Sequence, residues 1–229
     1  MAWGPRAAVA PPSTEVPVAR THHQARRCLP APYTPAVVEE RDERLRETTV
    51  DQRSVHEGRF IRFRVDTIRG PDGLLYQREV VDHPGAVAVL ALDGDDLLLV
   101  RQYRTAARRV LLEIPAGTLE RLSDGTIEDP DAAAPRELAE ETGHEARRWR
   151  RLAHFWTAPG FATEDMTLYL ATDLVPVAAY RGPEPDEHLE LVRLPWREAV
   201  RLADEGGVED AKTLIGLDLL RRLAERGEF

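Results

Sequence analysis

Residues 136–143 of this chain read Arg-Glu-Leu-Ala-Glu-Glu-Thr-Gly, a helical pattern that a glycine closes. On a helix, Glu137, Glu140 and Glu141 stand at the i, i+3 and i+4 spacing that gathers side chains on one face. Three neighbouring carboxylates repel one another, so this face is costly unless cations neutralise it, and hard oxygen ligands select Mg²⁺ or Mn²⁺. The pattern predicts a metal-binding helix; the alternative is a solvated acidic face with Arg136 paired to Glu140.

Strand-like patterns lie on both sides of this helical segment. Apolar runs at 86–92 and 97–100, separated by a turn-like Asp-Gly-Asp-Asp, predict a hairpin of buried strands. Before them, a β-rich run from Leu45 to position 81, broken by a turn at 70–73, predicts a small antiparallel sheet. Further strands are predicted at 110–114, 149–156, 166–171 and 189–194, and further helices at 196–205 and 210–226.

The order of these elements favours a mixed α/β fold (α+β), with helices packed on a mixed sheet rather than regular βαβ repeats. Pro135 lies inside the central helical pattern, so we expect the helix either to begin near this proline or to bend there. Both options keep Glu137 and Glu141 together, because both residues follow the proline.

Composition narrows the remaining possibilities. The chain has 229 residues and a net charge of -9, which argues against a nucleic-acid surface but still allows a free anionic nucleotide. No apolar run approaches the length of a membrane span, and a cytoplasmic location is expected. Residues 1–42 form a leader rich in proline, alanine and arginine that we expect to be disordered; its single cysteine, Cys28, is taken as incidental.

The stretch at 136–143, together with the residues before it, resembles the Nudix hydrolase signature. That signature is glycine, five residues, glutamate, seven residues, and then Arg-Glu-apolar-any-Glu-Glu-any-Gly. The half that begins at Glu128 matches fully, but ten residues separate Gly117 from Glu128, so we infer an insertion within 118–127. His144 also departs from the pattern, because an apolar residue commonly follows the last glycine.

The resemblance implies a fold and an assembly. It implies a Nudix α/β/α sandwich with a mixed sheet over residues 83–226, preceded by a small N-terminal antiparallel β-sheet at 43–82. In related enzymes an N-terminal β segment packs on the partner subunit or exchanges with it. Residues 43–82 are therefore expected to support a homodimer.

The resemblance also implies roles for the acidic helix. Glu137 and Glu141 would be the main ligands of Mg²⁺ or Mn²⁺, with Glu140 contributing directly or through water and the carbonyl of Ala116 completing the shell. Arg136 would orient a carboxylate rather than touch substrate. The ions would neutralise a diphosphate and activate water, so that the protein mainly positions charge.

Three other segments resemble the ADP-ribose pyrophosphatase branch of this family. They are Arg-Gln-Tyr-Arg at 101–104, Leu-Glu-Ile-Pro-Ala-Gly at 112–117 and Thr-Ala-Pro-Gly-Phe at 157–161. In this branch a proline about sixteen residues beyond the last signature glycine marks ADP-ribose hydrolases, and Pro159 follows Gly143 by 16 residues.

By this resemblance, Arg78 and Arg104 would grip the diphosphate through charge-assisted hydrogen bonds. Glu164 would approach a ribose hydroxyl just after the turn that contains Pro159 and Gly160. The alternative for each arginine is an ordinary surface charge.

The general base is expected in an acidic loop late in the chain, where Glu187 aligns best. Glu184, Asp186 and Glu190 lie in or beside the same loop, and a solvated loop is the alternative for each of them. The rings of Trp156 and Phe161 are able to stack on adenine, but burial in a core is the commoner explanation.

Taken together, these inferences predict metal-dependent hydrolysis of ADP-ribose to AMP and ribose 5-phosphate. One alternative is a related hydrolase that acts on a GDP-sugar, NADH or another diphosphate, because pocket loops determine the leaving group. The other is a non-catalytic domain that senses ADP-ribose, which the intact carboxylate set opposes.

Overall fold

The computed structural model describes residues 42–178, 180, 182 and 188–229. The chain divides into two units, Met1–Arg44 and Leu45–Phe229. Only residues 42–44 of the first unit are described, and every strand and helix below belongs to the second.

A three-stranded antiparallel sheet opens the second unit. Its strands are β1 (Thr48–Glu57), β2 (Arg62–Arg69) and β3 (Leu75–Asp82), paired in that order. All ten residues of β1 are exposed, so no apolar alternation announces this strand in the sequence. The small N-terminal sheet is confirmed, and β1 is the strand that the pattern identified least clearly.

A seven-stranded mixed sheet forms the body of the unit. Its strands are β4 (Ala86–Asp93), β5 (Asp96–Arg104), β6 (Arg109–Glu113), β7 (Ala116–Thr118), β8 (His144–Trp156), β9 (Asp165–Pro176) and β10 (Leu189–Pro195). The central strands follow the order β10-β5-β4-β9-β8, with β6 paired to β5 and β7 paired to β4. The strands β4 and β9 run parallel, and the other pairs are antiparallel.

Helices cover both faces of this sheet. Alternate residues of β4 join two separate clusters, with Leu90 on one face and Val87 and Val89 on the other. Helix α1 (Pro130–Thr142) packs on the Val87 face, whereas α2 (Trp196–Asp204) and α3 (Ala211–Glu225) pack on the Leu90 face. Because β4 is buried on both sides, it reads as a continuous apolar run, and the α/β/α sandwich is confirmed.

Helix α1 begins before Pro135, at Pro130. Asp129 caps the first turn by accepting a hydrogen bond of 2.9 Å from the amide of Asp131, and Pro130 occupies the first helical position. Pro135 lies within the helix, so the option of a helix that begins near this proline is wrong. At the other end Gly143 adopts φ 69°, the left-handed conformation that glycine allows at a helix end.

The ten residues between Gly117 and Glu128 include a small hairpin. Arg121 and Ile127 form an antiparallel bridge, and the amide of Glu128 donates a hydrogen bond of 2.8 Å to the carbonyl of Glu120. The two ends of the inserted segment therefore lie side by side, and Glu128 stands at the start of α1 despite the extra residues.

No helix in the described part of the chain is long and apolar enough to cross a membrane.

Candidate active site

Glu137 and Glu141 lie on the face of α1 that turns toward the backbone at 116–117. Both side chains are buried. The amide of Ala116 donates a hydrogen bond of 3.0 Å to Oε2 of Glu141. A Cβ atom at Gly117 would overlap the carboxylate of Glu137, so only glycine allows this close approach. The i, i+4 pair therefore converges on one short segment of backbone.

Arg136 contacts three carboxylates beside this pair. Its Nε and Nη2 donate to Glu128 at 3.1 and 2.8 Å, and its Nη1 lies 2.9 Å from both Glu137 and Glu140. The hydrogen bond from Arg136 lowers the pKa of Glu128, and the same bond raises the pKa of Arg136. When Glu141 on the same helix is counted, four carboxylates accompany one guanidinium, so the cluster keeps an excess of negative charge.

The solvated acidic face considered from the sequence is wrong for Glu137 and Glu141, because both are buried. The pair between Arg136 and Glu140 that this alternative assumed does form, at 2.9 Å. Arg136 therefore pairs with Glu140 at the half-buried edge of the helix, whereas Glu137 and Glu141 face inward.

A cavity of about 350 Å³ opens over the segment 116–117. Arg104 and Glu164, for which the resemblance implies substrate contacts, both line its wall. Arg104 forms a two-pronged ion pair with Glu113, through hydrogen bonds of 2.8 and 2.7 Å. Burial acts to raise the pKa of Glu113, but Arg104 and Lys212 outweigh it, and the pKa is lowered.

Pro159 and Gly160 line a second cavity of about 420 Å³, called the aromatic cavity below. Trp156 and Phe161 line it as well, and their residues are 55% and 59% exposed. The expectation that these rings are buried in a core is therefore wrong. They present apolar rings to a cavity instead, which is the arrangement that stacking on a flat base requires.

The two arginines expected to grip a diphosphate do not meet in one cavity. Arg78 lines the aromatic cavity and forms a two-pronged ion pair with Glu47, whereas Arg104 lines the cavity over segment 116–117. The hydrogen bonds to Glu47 raise the pKa of Arg78. The pairing with Glu47 spans 31 residues along the chain, so no local pattern announces it.

The loop at 157–164 contributes residues to both cavities. Glu164 accepts a hydrogen bond from the hydroxyl of Thr157 and lies 3.7 Å from Nε2 of His83. The amide of Val81, near the end of β3, donates to the carbonyl of Phe161 at 2.7 Å. The small sheet is thereby tied to the loop that carries the sequence-identified residues Pro159, Gly160 and Glu164.

Comparison with known proteins decides the family. A family model described as the NUDIX domain matches residues 82–215. This chain belongs to the Nudix family. Two relatives with the name ADP-ribose pyrophosphatase match it, one from Bacillus subtilis at 36% identity, covering 77% of this chain and 94% of the relative. The other, from Mycobacterium tuberculosis, is 36% identical, and the alignment covers 74% of this chain and 80% of the relative.

Other matches carry different names. A methanol dehydrogenase activator from Bacillus methanolicus is 38% identical, covering 76% of this chain and 92% of the relative. The solved structure of an ADP compounds hydrolase aligns with a TM-score of 0.67 at 24% identity, covering 80% of this chain and 97% of that one. The structural likeness confirms the fold, and the family membership identifies the protein as a Nudix hydrolase.

Hydrolases of the Nudix family need divalent metal ions, and the donors at this site fit such an ion. Glu137 and Glu141 supply hard oxygen atoms, and the surplus of carboxylates around Arg136 calls for cations. In residues 42–178, 180, 182 and 188–229, no three acidic, histidine or cysteine side chains already converge on one point suitable for a metal. The two glutamates instead contact protein groups, which an ion would replace.

Glu187, expected to act as the general base, lies outside the described residues. The nearby Tyr180 is described, and its hydroxyl donates to the carbonyl of Glu140 at 3.2 Å. Burial raises the pKa of Tyr180. Tyr180 therefore contacts the C-terminal end of α1.

Sequence reasoning missed the residues that surround Arg104. Glu113 stands in a segment that carried the family resemblance, yet no role was inferred for it. Lys212 and Asp210 contact each other at 3.0 Å near the start of α3 and line the same cavity. The composition did hold a signal, because Lys212 is the only lysine among the 31 basic residues of this Nudix hydrolase.

Proposed function

We propose that this Nudix hydrolase cleaves the diphosphate of ADP-ribose to AMP and ribose 5-phosphate, using Mg²⁺ or Mn²⁺. One observation carries the proposal: two buried carboxylates, Glu137 and Glu141, meet the backbone at 116–117 beneath a cavity that Arg104 and Glu164 line. This arrangement supplies anionic ligands for cations on one side and a cationic side chain for a phosphate on the other.

The choice of ADP-ribose is supported by the names of two relatives and by the aromatic cavity. Both relatives called ADP-ribose pyrophosphatase share 36% of their aligned residues with this chain. In the proposed complex, the adenine stacks between or against Trp156 and Phe161, beside Pro159 and Gly160. The diphosphate then extends toward Arg104, and Glu164 accepts a hydrogen bond from a ribose hydroxyl.

In the proposed mechanism, Glu137 and Glu141 would hold the divalent ion, and Glu140 and the carbonyl of Ala116 would be further ligands. When bound, the ion supplies positive charge to the diphosphate and activates water for attack on phosphorus. Arg136 fixes the orientation of its glutamate partners through the contacts described above.

Three residues complete the proposed reaction around this centre. Arg104 binds a phosphate oxygen and holds the diphosphate in line for attack. Glu187 accepts the proton that water loses as the bond between phosphorus and the bridging oxygen breaks. Arg78 exchanges its partner Glu47 for an oxygen atom of the diphosphate, as the resemblance implied.

GDP-mannose is the second candidate substrate, because GDP-mannose pyrophosphatases also match this chain. One from Cronobacter sakazakii is 30% identical, covering 66% of this chain and 80% of the relative. Helix α1, which carries the proposed metal ligands, does not discriminate between the two substrates, because in the proposed complex it faces only the diphosphate that both substrates share. Discrimination has to come from the aromatic cavity.

A substrate panel tests the proposal. Purified protein is incubated with Mg²⁺ or Mn²⁺ and with ADP-ribose, GDP-mannose, NADH or diadenosine polyphosphates, and nucleotide products are separated by chromatography. The highest kcat/KM is expected for ADP-ribose, with AMP as product, and a higher value for any other compound would overturn the substrate assignment. Glu141→Gln should lose at least about 10²-fold in kcat, whereas the matched control Glu145→Gln, on the exposed surface of β8, should keep it.

We also propose that residues 43–82 mediate a homodimer. The supporting observation is the exposed apolar surface of the small sheet, where Val50, Val55, Leu75 and Tyr76 are all at least 40% exposed. Light scattering behind a sizing column should give twice the chain mass of 25.7 kDa. A monomer at micromolar concentration would overturn the proposal, and Leu75→Glu should shift the equilibrium toward monomer.

A further inference from the structure

Lys212 is the only lysine of a chain that otherwise uses arginine for positive charge. It is also buried, with 8% of the residue exposed, at the start of α3. Its ammonium group contacts two carboxylates, Glu113 and Asp210. Lysine is among the residues least often buried, and a buried one needs partners, so this pairing marks a built arrangement.

Glu113 links Lys212 to the cavity wall. Its carboxylate, with 1% of the side chain exposed, accepts hydrogen bonds from Nε and Nη2 of Arg104 and from Lys212. Arg104 itself keeps 39% of its side chain exposed and lines the cavity over segment 116–117. The fork uses two nitrogens of the guanidinium, so Nη1 takes no part in it.

The local fold fixes this cluster from two directions. Glu113 is the last residue of β6, and the next amide, that of Ile114, donates a hydrogen bond of 2.9 Å to the hydroxyl of Thr213. Thr213 in turn donates to Asp210, which caps the N-terminus of α3. The helix start and the strand end are therefore joined, and Lys212 lies at the junction.

Charge balance gives the cluster its chemical consequence. Arg104 and Lys212 together offset Glu113 and Asp210, so the four groups carry no net charge. Without the ammonium of Lys212, the same groups would carry one negative charge beside the cavity, which opposes an anionic diphosphate. Glu113 would also have Arg104 as its main cation and would compete with a phosphate for it.

We propose that Lys212 is a positioning residue that acts through Glu113 to hold Arg104 ready for the substrate's diphosphate. The proposal rests on the proposed function, because it assigns Arg104 a phosphate to bind. A lysine suits the position because its compact ammonium reaches two carboxylates in a buried space, whereas arginine brings a larger planar fork.

Steady-state kinetics with ADP-ribose test the proposal. Lys212→Met removes the charge and retains most of the side-chain length, so KM should rise by about tenfold while kcat stays within about threefold. Lys212→Arg should recover at least part of the lost affinity, because the positive charge returns. The control is Arg109→Met, which removes a cation from an exposed pair with Glu209 and should leave KM unchanged.

A double-mutant cycle separates positioning from a merely structural role. If Lys212 acts through Arg104, Lys212→Met should change KM by less than about twofold when Arg104 is already alanine. A tenfold rise in that background, or an unchanged KM in folded Lys212→Met, would overturn the proposal.

The wild-type chain offers a test that needs no Lys212 variant to fold. Protein labelled with ¹³C-lysine contains a single lysine side chain, so its methylene signal next to the ammonium is assigned without ambiguity. A non-hydrolysable methylene analogue of ADP-ribose, added with Mg²⁺, should shift this signal, and the shift should shrink in saturated Arg104→Ala. A signal that stays in place at saturation would overturn the proposal.

Failure of this inference is distinguishable from failure of the proposed function. Wild-type protein that hydrolyses ADP-ribose but shows no response at Lys212 would refute the positioning role alone. Wild-type protein that fails to hydrolyse ADP-ribose would refute the proposed function, and with it the phosphate assigned to Arg104.

Discussion

Gly117 is the residue whose replacement should separate the chemistry of the site from the stability of the fold. A Cβ atom at this position would overlap the carboxylate of Glu137, far inside the 3.0 Å that real Cβ contacts respect. The carboxylate is the end of a flexible side chain, so in Gly117→Ala it should retreat by about 1 Å while the backbone stays in place.

The expected costs of Gly117→Ala differ for activity and for folding. Displacing a group by about 1 Å in a site of this kind costs about 10²-fold in rate, or about 2.7 kcal/mol of transition-state stabilisation. Folding should change by less than about 1 kcal/mol, because the lower entropy of the unfolded alanine chain offsets a weakened contact between Glu137 and Arg136.

Two measurements on Gly117→Ala show whether the substitution affects catalysis without affecting folding. They are kcat with ADP-ribose at saturating Mg²⁺ and the free energy of unfolding in urea. The control is Gly94→Ala, in an exposed turn at φ 62° with open space around it. This control should lose about 1 kcal/mol of stability through backbone strain and keep full kcat. If Gly117→Ala retains more than about a tenth of wild-type kcat, Glu137 is not needed at its present position and the reasoning is refuted.

Three further predictions concern the helix and the loop. Asp129→Ala should lower the free energy of unfolding by about 1 kcal/mol, measured in urea, because it removes the cap of α1; no loss would contradict this. Arg136 lowers the pKa of Glu128 from its ordinary 4.5, so the stability it contributes is present above that pH and lost as pH falls through the lowered pKa. The free energy of unfolding of the wild type should therefore exceed that of Glu128→Gln at neutral pH. If the difference between the two free energies does not become smaller in acid, the pairing is refuted. Glu187→Gln should reduce kcat and remove the acidic limb of the pH-rate profile, and an unchanged profile would exclude Glu187 as the base.

The features that the sequence predicted well share a local cause. The strands β4 and β5 read as apolar runs because the sheet is covered on both faces, and the glutamate pair follows from helical spacing alone. The inserted residues close as a hairpin, so Glu128 still lies beside Arg136 at the start of α1. Local sequence patterns and the family resemblance therefore predicted both the α/β/α sandwich and the helix that carries the glutamate pair.

The features that escaped prediction depend on distant contacts. The pairing of Arg78 with Glu47 joins segments 31 residues apart, and that of Lys212 with Glu113 joins segments 99 residues apart. Pro135 left two options open for α1, a helix that begins near this proline or one that bends there, and the cap at Asp129 with Pro130 at the first helical position decides for an earlier start. For the rings at 156 and 161, residue type alone favoured burial in a core over stacking on adenine, but both residues are exposed.

The most direct measurement is a crystal structure with Mn²⁺ and a non-hydrolysable ADP-ribose analogue, in which anomalous scattering locates the ions. Manganese is expected within coordination distance of Glu137 and Glu141, which would release their present contacts to Arg136 and Ala116, with the diphosphate between the ion and Arg104. A fully occupied analogue beside carboxylates that keep those contacts, with no anomalous peak nearby, would contradict the account.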